Sequence, residues 1–420
     1  MNTSPIAPTR STARRAAAVL VAEVLDHGRT LDDALTTTKS FSALEGRDRA
    51  FARAIASATL RRLGGIDAVL ARYLQKPLAD SAALARSILR TGAAQLLVLG
   101  SPPHAVVSES VSVAQSARSA QPFAKLVNAV LRKVATDGAE AFAAQPPGAD
   151  LPDWLFARWR AAYGDEAADA IARALRAEPP LDITVKSDPV HWAATLGGRV
   201  IDGDSVRLDG GGEITALPGF AEGAWWVQDA AAAAAVRLLG DVAGHGAIDL
   251  CAAPGGKTMQ LASAGAEVTA LDQSATRMER VAQNLARTNL SASLVVADAR
   301  EWDTAERFDI VLLDAPCSAT GTLRRHPDVA WLRGPGDIAA LTALQASLLD
   351  RAIDLARPGG RILYVVCSLE PEEGPGAIAA ALARWPDKIA LTDAVLHTTP
   401  ATRADEGGMD GFYARVLRRL

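Results

Sequence analysis

Cysteine is scarce in this chain: three in 420 residues. No two stand at CxxC spacing, which argues against both a disulfide framework and a metal site and leaves each thiol free. Long apolar runs are missing as well. No stretch reaches the roughly 18 uninterrupted apolar residues of a membrane span. The nearest candidate, "AAAVLVAEVL" at 16–25, is broken by Glu23 and followed by Asp26 with no cleavage site behind it, so a cytoplasmic protein is expected. A large excess of charge of one sign is also lacking, the net being −4. Hydrophobic residues make up 49% and charged residues 22%, an ordinary globular composition, and the length calls for two or three domains.

The small net charge conceals an uneven distribution. Residues 1–140 carry 18 Lys and Arg against 11 Asp and Glu, a balance of +7, and the rest of the chain balances at −11. A basic front segment is what a meeting with nucleic acid phosphates requires, although a solvated helical surface produces the same count. Across residues 12–136 apolar residues recur at helical spacing, as in "ARRAAAVLVAEVLDHG" and "KLVNAVLRKVA", which predicts a helical bundle. From about 145 to 225 come one or two helices near 153–177 and then short β-like pieces, "LDITVKS", "GRVID" and "SVRLDG", expected to form a small α+β connector. From 226 onward strands and helices alternate, the mark of an α/β domain with a parallel sheet whose ligands bind beyond the carboxyl ends of the strands. The expected domains are therefore 1–140, 145–225 and 226–420.

All three cysteines fall where an apolar run of the α/β part stops, at 251, 317 and 367. The first lies in "DLCAAPGGKT", where small residues and two glycines between a strand and a helix let the backbone approach a ligand at a helix N-terminus. Neither GxxxxGK[ST] nor GxGxxG spacing is met, so a nucleotide-like ligand without a polyphosphate is favoured. Asp272 closes the second strand about sixteen residues after the glycines, placed for the ribose hydroxyls, and Asp298 follows "VVA" at the third, placed for an adenine amino group. Four successive strands read as ending in Asp249, Asp272, Asp298 and Asp314, a pattern that suits S-adenosylmethionine, a cation bearing a ribose and an adenine.

Cys317 and Cys367 end the fourth and fifth strands, which are expected to be neighbours, so both could reach one substrate. Two thiols beside such a cofactor suit methylation at carbon 5 of cytosine. That carbon becomes nucleophilic only after a thiolate has added to ring carbon 6. A carboxylic acid at ring nitrogen 3 stabilises the adduct, with Asp314 the candidate, and one cysteine attacks while the other assists release. The segment "GTLRRHPD" at 321–328 offers Arg324 and Arg325 for phosphates and His326 for orienting a base taken out of its stack.

On "CAAPGGKT", "LDQSATRMERVAQNLARTNL", "DAPCSATGTLRRHPDVAW", "RPGGRILYVVCSLEPEEG" and "GGMDGFYARVLRR", the chain resembles the RsmB branch of the NOL1/NOP2/Sun family, bacterial 16S ribosomal RNA cytosine-5 methyltransferases, over nearly its whole length. "PPHAVVSESV" and "FAKLVNAVLRKV" are similar to the NusB-like RNA-binding domain of that branch, and "GAWWVQDAAA" to the start of its Rossmann-like core. The resemblance implies S-adenosylmethionine contacts along Cys251, Ala252, Ala253, Pro254, Gly255, Gly256 and Lys257 and at Asp272, Asp298 and Asp314, with no metal. It implies that Cys367 is the nucleophile and Cys317 the residue needed for release, on small-subunit rRNA; that the rRNA is protein-free or partly assembled, and the protein a monomer, are separate expectations. One departure is Val366, where the family usually has threonine before the nucleophile. The competing readings are DNA cytosine-5 methylation with Cys317 as nucleophile, action on another RNA, and a non-catalytic RNA-binding factor on a decayed methyltransferase fold.

Overall fold

The computed structural model describes residues 12–210 and 212–420. The part of the 1–140 domain before residue 12 lies outside the described residues. Two compact units result. One holds the described residues up to Arg160 together with Asp165–Arg176 and His326–Arg333; the other holds Ala161–Gly164, Ala177–Arg325 and Gly334–Leu420.

The first unit is helical. Its opening helix, Ala13–Leu25, starts where the Thr12 side chain accepts the Arg15 N–H, and Ala16, Ala17, Leu20, Val21 and Val24 are fully buried along one face. That face packs on the helices Gly46–Arg61 and Ala83–Leu97, and the helices Pro103–Ser116 and Ala124–Ala143 complete a second apolar cluster. The two helices foreseen near 153–177 are present as Asp153–Tyr163 and Asp165–Ala174. Most of their length belongs to the helical unit rather than to the connector, because the Arg176 guanidinium bonds Asp150 Oδ2 at 2.8 Å and the carbonyl of Pro146 at 2.8 Å.

The second unit contains two sheets. The connector is a four-stranded antiparallel sheet of β1 (Leu181–Val185), β2 (Gly198–Asp202), β3 (Ser205–Leu208) and β4 (Trp225–Val227), in the order β2-β3-β1-β4. The larger sheet has seven strands: β5 (Gly246–Leu250), β6 (Glu267–Asp272), β7 (Ser293–Val296), β8 (Phe308–Asp314), β9 (Ala356–Val366), β10 (Ile389–His397) and β11 (Tyr413–Arg419). Their order is β10-β11-β9-β8-β5-β6-β7. The first five in sequence run parallel, but β11 lies antiparallel between β9 and β10, so the sheet is mixed rather than wholly parallel.

The central strands read as continuous apolar runs because both faces are covered. On one face Ile248, Val311, Leu313 and Tyr364 pack against Leu348, Leu349 and Ile353 of the helix Pro335–Leu355. On the other, Ile310, Leu312, Leu363 and Val365 pack against Ala231, Ala235 and Val236 of the helix Ala230–Arg237. Reversal of the strand order beside β5 places the ends of β5, β6, β7, β8 and β9 along one edge.

Candidate active site

The glycine-rich turn after β5 leads into the helix Gly256–Ser263. Gly255 caps that helix at φ 100° with Val281 Cγ1 only 3.2 Å from where a Cβ would stand, so a side chain here would be both strained and crowded. Cys251, the first residue of the turn, is also left-handed at φ 64°. Burial is the main cause that pushes its thiol up to about 12, which makes it a neutral lining group.

The four aspartates are not all strand ends. Asp249 is the fourth of five residues in β5 and is buried; it accepts the Thr258 hydroxyl at 2.6 Å through Oδ2. Its Oδ1 is buried with no hydrogen-bond partner among the described residues. Burial raises its pKa to about 7, against the opposing Thr258 bond. Asp272 does end β6, and it accepts the backbone N–H of Ala253 at 3.2 Å and of Ser274 at 2.9 Å, which ties the two ligand-facing turns together. Asp298 stands two residues beyond β7, where bonds from the Arg300 guanidinium and backbone hold its carboxyl below the usual carboxylate range. Asp314 ends β8, and its Oδ2 accepts a bond from Lys257 Nζ at 2.6 Å. Burial opposes the Lys257 charge, but Asp314 and then Cys367 and Asp249 outweigh it and keep the ammonium pKa raised.

These groups fit S-adenosylmethionine. Carboxylates from four adjacent strands line one edge, the turn bares its backbone, and an unpartnered buried oxygen on Asp249 awaits a donor or a cation.

The thiols of Cys317 and Cys367 meet at 3.5 Å between sulfurs. Cys317 follows β8 by three residues and Cys367 follows β9 directly. Neighbouring strands and short turns therefore do the positioning, locked by Ala315 N–H to the Val365 carbonyl at 2.9 Å and by Gly321 N–H to the Cys367 carbonyl at 3.0 Å. Gly321 admits no side chain, since a Cβ would stand 1.9 Å from the Gly411 carbonyl oxygen. The C-terminal "GGMDGF" motif packs on the Cys317 loop by this contact. The bond to Cys367 and then burial raise the Cys317 pKa well above the ordinary thiol value. Val366 is fully buried in the apolar cluster with Tyr364 and Ile362, so its valine side chain suits its surroundings.

Arg324 and Arg325 are committed to partners within their own unit. Arg324 is 1% exposed and donates to the Gly407 carbonyl at 2.9 Å. Arg325 joins Asp229 at 2.7 Å and Asp410 at 3.0 Å, close to the fully buried Asp182–Arg207 pair that links β1 to β3. These two arginines bind carboxylates and carbonyls of the fold rather than phosphates. His326 belongs to the helical unit, 3.8 Å from Asp32, in a segment whose Asp328 accepts the Leu31 N–H at 2.9 Å and whose Trp331 donates to the Leu60 carbonyl at 2.9 Å.

Lys257, expected on the cofactor, donates to Asp314, a pairing the sequence does not show. Two further participants escape a reading of the sequence. Glu373, from "LEPEEG", is fully buried between the two thiol loops, and Gln345 on the helix Pro335–Leu355 reaches it at 2.9 Å. A glutamate among several in a polar run carries no signal of burial.

Comparison with known proteins places the fold and site in context. Residues 237–417 match the family described as 16S rRNA methyltransferase RsmB/F, and residues 11–136 match the NusB family. The chain is 35% identical over 429 residues to ribosomal RNA small subunit methyltransferase B of Cronobacter sakazakii, covering 97% of this chain and 98% of that protein. It is 38% identical to the protein of the same name from Xanthomonas campestris, covering 96% of each. Among solved structures, PH0851 matches with a TM-score of 0.75 at 22% identity over 99% of this chain and 100% of that one. NSun6 from Pyrococcus horikoshii with SFG matches with a TM-score of 0.57 at 20% identity over 64% of this chain and 98% of that one. At those identities the structures establish likeness of fold.

Proposed function

The chain belongs to the 16S rRNA methyltransferase RsmB/F family and is an S-adenosylmethionine-dependent rRNA cytosine-5 methyltransferase, and from this premise we propose that Cys367 is its nucleophile. The observation that carries the assignment is the meeting of two thiols, 3.5 Å apart, with the Lys257–Asp314 pair at the ends of neighbouring strands. Lys257 interacts electrostatically with Cys367, whereas Glu373 is the charged group that acts on Cys317. The Glu373 charge disfavours the thiolate on Cys317.

In this reading Cys367 Sγ adds to ring carbon 6 of cytosine, and the displaced electron pair moves toward ring nitrogen 3. Asp314 was the expected acid there. Its Oδ2 accepts from the Lys257 ammonium, so the proton at hand is on Lys257 and the two act as one acid. Cys251, Ala252, Ala253, Pro254, Gly255 and Gly256 with Asp249, Asp272 and Asp298 would hold S-adenosylmethionine, which when bound supplies the methyl group. Cys317 then assists release: a base takes the carbon-5 proton, and the electron pair of that bond re-forms the ring 5,6 double bond. The Cys367 sulfur leaves with the pair of its bond to carbon 6, and the proton on ring nitrogen 3 returns to the Lys257–Asp314 pair.

The finer readings follow from this. The site is complete within one chain, so a monomer suffices to build it. The cytosine must leave its stack, which favours RNA that is protein-free or partly assembled and therefore action in the cytoplasm. No helix among the described residues is long and apolar enough to cross a membrane.

The test mixes Cys317→Ala and Cys367→Ala proteins separately with S-adenosylmethionine and protein-free small-subunit rRNA. A denaturation-resistant protein–RNA adduct is expected with Cys317→Ala and none with Cys367→Ala. The reverse pattern would make Cys317 the nucleophile and the assignment wrong.

A further inference from the structure

Glu373 is fully buried, and its carboxylate gathers hydrogen bonds from both thiol loops. Oε1 accepts from the Ser318 backbone N–H at 2.9 Å and from Gln345 Nε2 at 2.9 Å. Oε2 accepts from the hydroxyls of Ser318 and of Ser368, the latter at 2.5 Å. Ser318 and Ser368 are the residues directly after Cys317 and Cys367, and their hydroxyls lie 3.0 Å apart. Gln345 Nε2 also holds the carbonyl of Pro316, just before Cys317, at 2.9 Å. One side chain therefore connects both cysteine turns.

The Ser318 N–H donates, and so does Nε2 of Gln345, whose Oε1 is taken by the Tyr364 hydroxyl, so the geometry at Glu373 Oε1 calls for an acceptor. A buried charge without partners is strongly destabilising, and the four donors are what make it tolerable. A neutral side chain could also bridge two loops; what it would lack is the negative charge beside Cys317. The other titratable or charged groups around the thiols are Lys257 and Asp314 on the Cys367 side and Tyr364 and Tyr413 behind them. Tyr364 donates to the Glu373 carbonyl at 2.7 Å.

We propose that Glu373 is a positioning residue for the two thiols, holding both cysteine turns in register and placing a buried negative charge beside Cys317. This rests on the reading of Cys367 as nucleophile. Glu373 touches no reacting atom and acts only through the cysteine turns.

The test uses full-length protein with Glu373→Gln and Glu373→Ala. In a Cys251→Ala/Cys367→Ala background Cys317 is the one remaining thiol, and its thiolate ultraviolet absorbance is followed against pH as the difference from the same protein with Cys317→Ala as well, which cancels the tyrosines. Glu373→Gln is expected to fold, as judged by thermal melting, and to shift the Cys317 titration down by about one pH unit, about tenfold more thiolate at a given pH. With both cysteines present, it is expected to lower kcat about tenfold while KM for RNA stays within about twofold. An unchanged Cys317 titration in Glu373→Gln would overturn the proposal. So would full recovery of kcat by Gln where Ala has lost it, since the hydrogen bonds would then suffice without the charge. Failure of the Cys367 assignment is read separately, from which single-cysteine variant traps RNA, and leaves the titration result standing.

Discussion

Cys317 and Cys367 face each other from the ends of adjacent parallel strands with 3.5 Å between their sulfurs, although 50 residues separate them in sequence. Sheet register, not a local motif, creates this distance: Asp314 pairs with Val365 in the ladder, so a turn of a few residues at the end of each strand brings the thiols together. Two thiols so placed cannot both be thiolates without mutual repulsion, so the surrounding charges decide which one is.

Replacing Lys257 by Met should therefore damage chemistry more than binding. The substitution keeps the apolar stem and removes the charge bonded to Asp314 at 2.6 Å. The expected outcome is a fall in kcat of about 10²–10⁴, the range for loss of a positioned acid or charge. Binding of a fluorescent or calorimetrically followed S-adenosylmethionine analogue should weaken far less. Equal losses in both would show that Lys257 serves the cofactor instead.

The α/β half was largely legible because its central strands are buried on both faces and so stand out as apolar runs between amphipathic helices. The helix foreseen at 274–288 is Ala275–Thr288, and both thiols and three of the four aspartates lie at or just past strand ends as read. What stayed hidden depends on distant partners. Arg324 and Arg325 look like surface cations until Gly407, Asp229 and Asp410 close over them. β11 is antiparallel because it returns from β10 to pair with β9, a choice made by the sheet rather than by its own residues. His326 went to the helical unit because Leu332 packs in its apolar cluster and Trp331 finds the Leu60 carbonyl.

Stability should depend on pH through Asp249. Its pKa is about 7 in the fold against an ordinary 3.8, so between those values the folded protein binds a proton that the unfolded chain does not. Stability from this group therefore falls as pH rises from about 4 to about 7, by a few kcal/mol at most, on the order of the shift multiplied by 1.4 kcal/mol per unit. Asp410, also raised to about 7 by burial, adds to the same window. Chemical unfolding without cofactor at pH 5 and pH 8 should show a smaller drop in Asp249→Asn than in the unaltered chain. Identical drops would place the titration elsewhere.

The Arg325 network should be a stability element and not an RNA contact. Asp182, Asp229 and Asp410 are all buried, and Arg325 bonds the last two directly. Arg325→Ala leaves buried carboxylates without their cation and is expected to cost about 3 kcal/mol, seen as a lower denaturation midpoint. RNA affinity, measured well below the new midpoint, should fall little. A large loss of affinity with an unchanged midpoint would return Arg325 to the phosphate role.

RNA affinity should instead depend on exposed cations of the helical unit. Lys125, Arg132 and Lys133 are exposed on the helix Ala124–Ala143, and a spacing of seven and eight residues puts them on one face. Each phosphate such a residue neutralises releases counterions, adding about 0.7 to 0.9 to the slope of log affinity against log salt. Changing all three to Gln should weaken binding to a small-subunit rRNA fragment and flatten that slope by about 2. The effect should shrink as salt rises, because the lost contribution is one that salt already suppresses. Kcat at saturating RNA should stay near its original value, since none of the three belongs to the unit that carries the thiols. A parallel downward shift at every salt concentration would mean instead that the substitutions had altered the fold of the helix, which its melting curve would report.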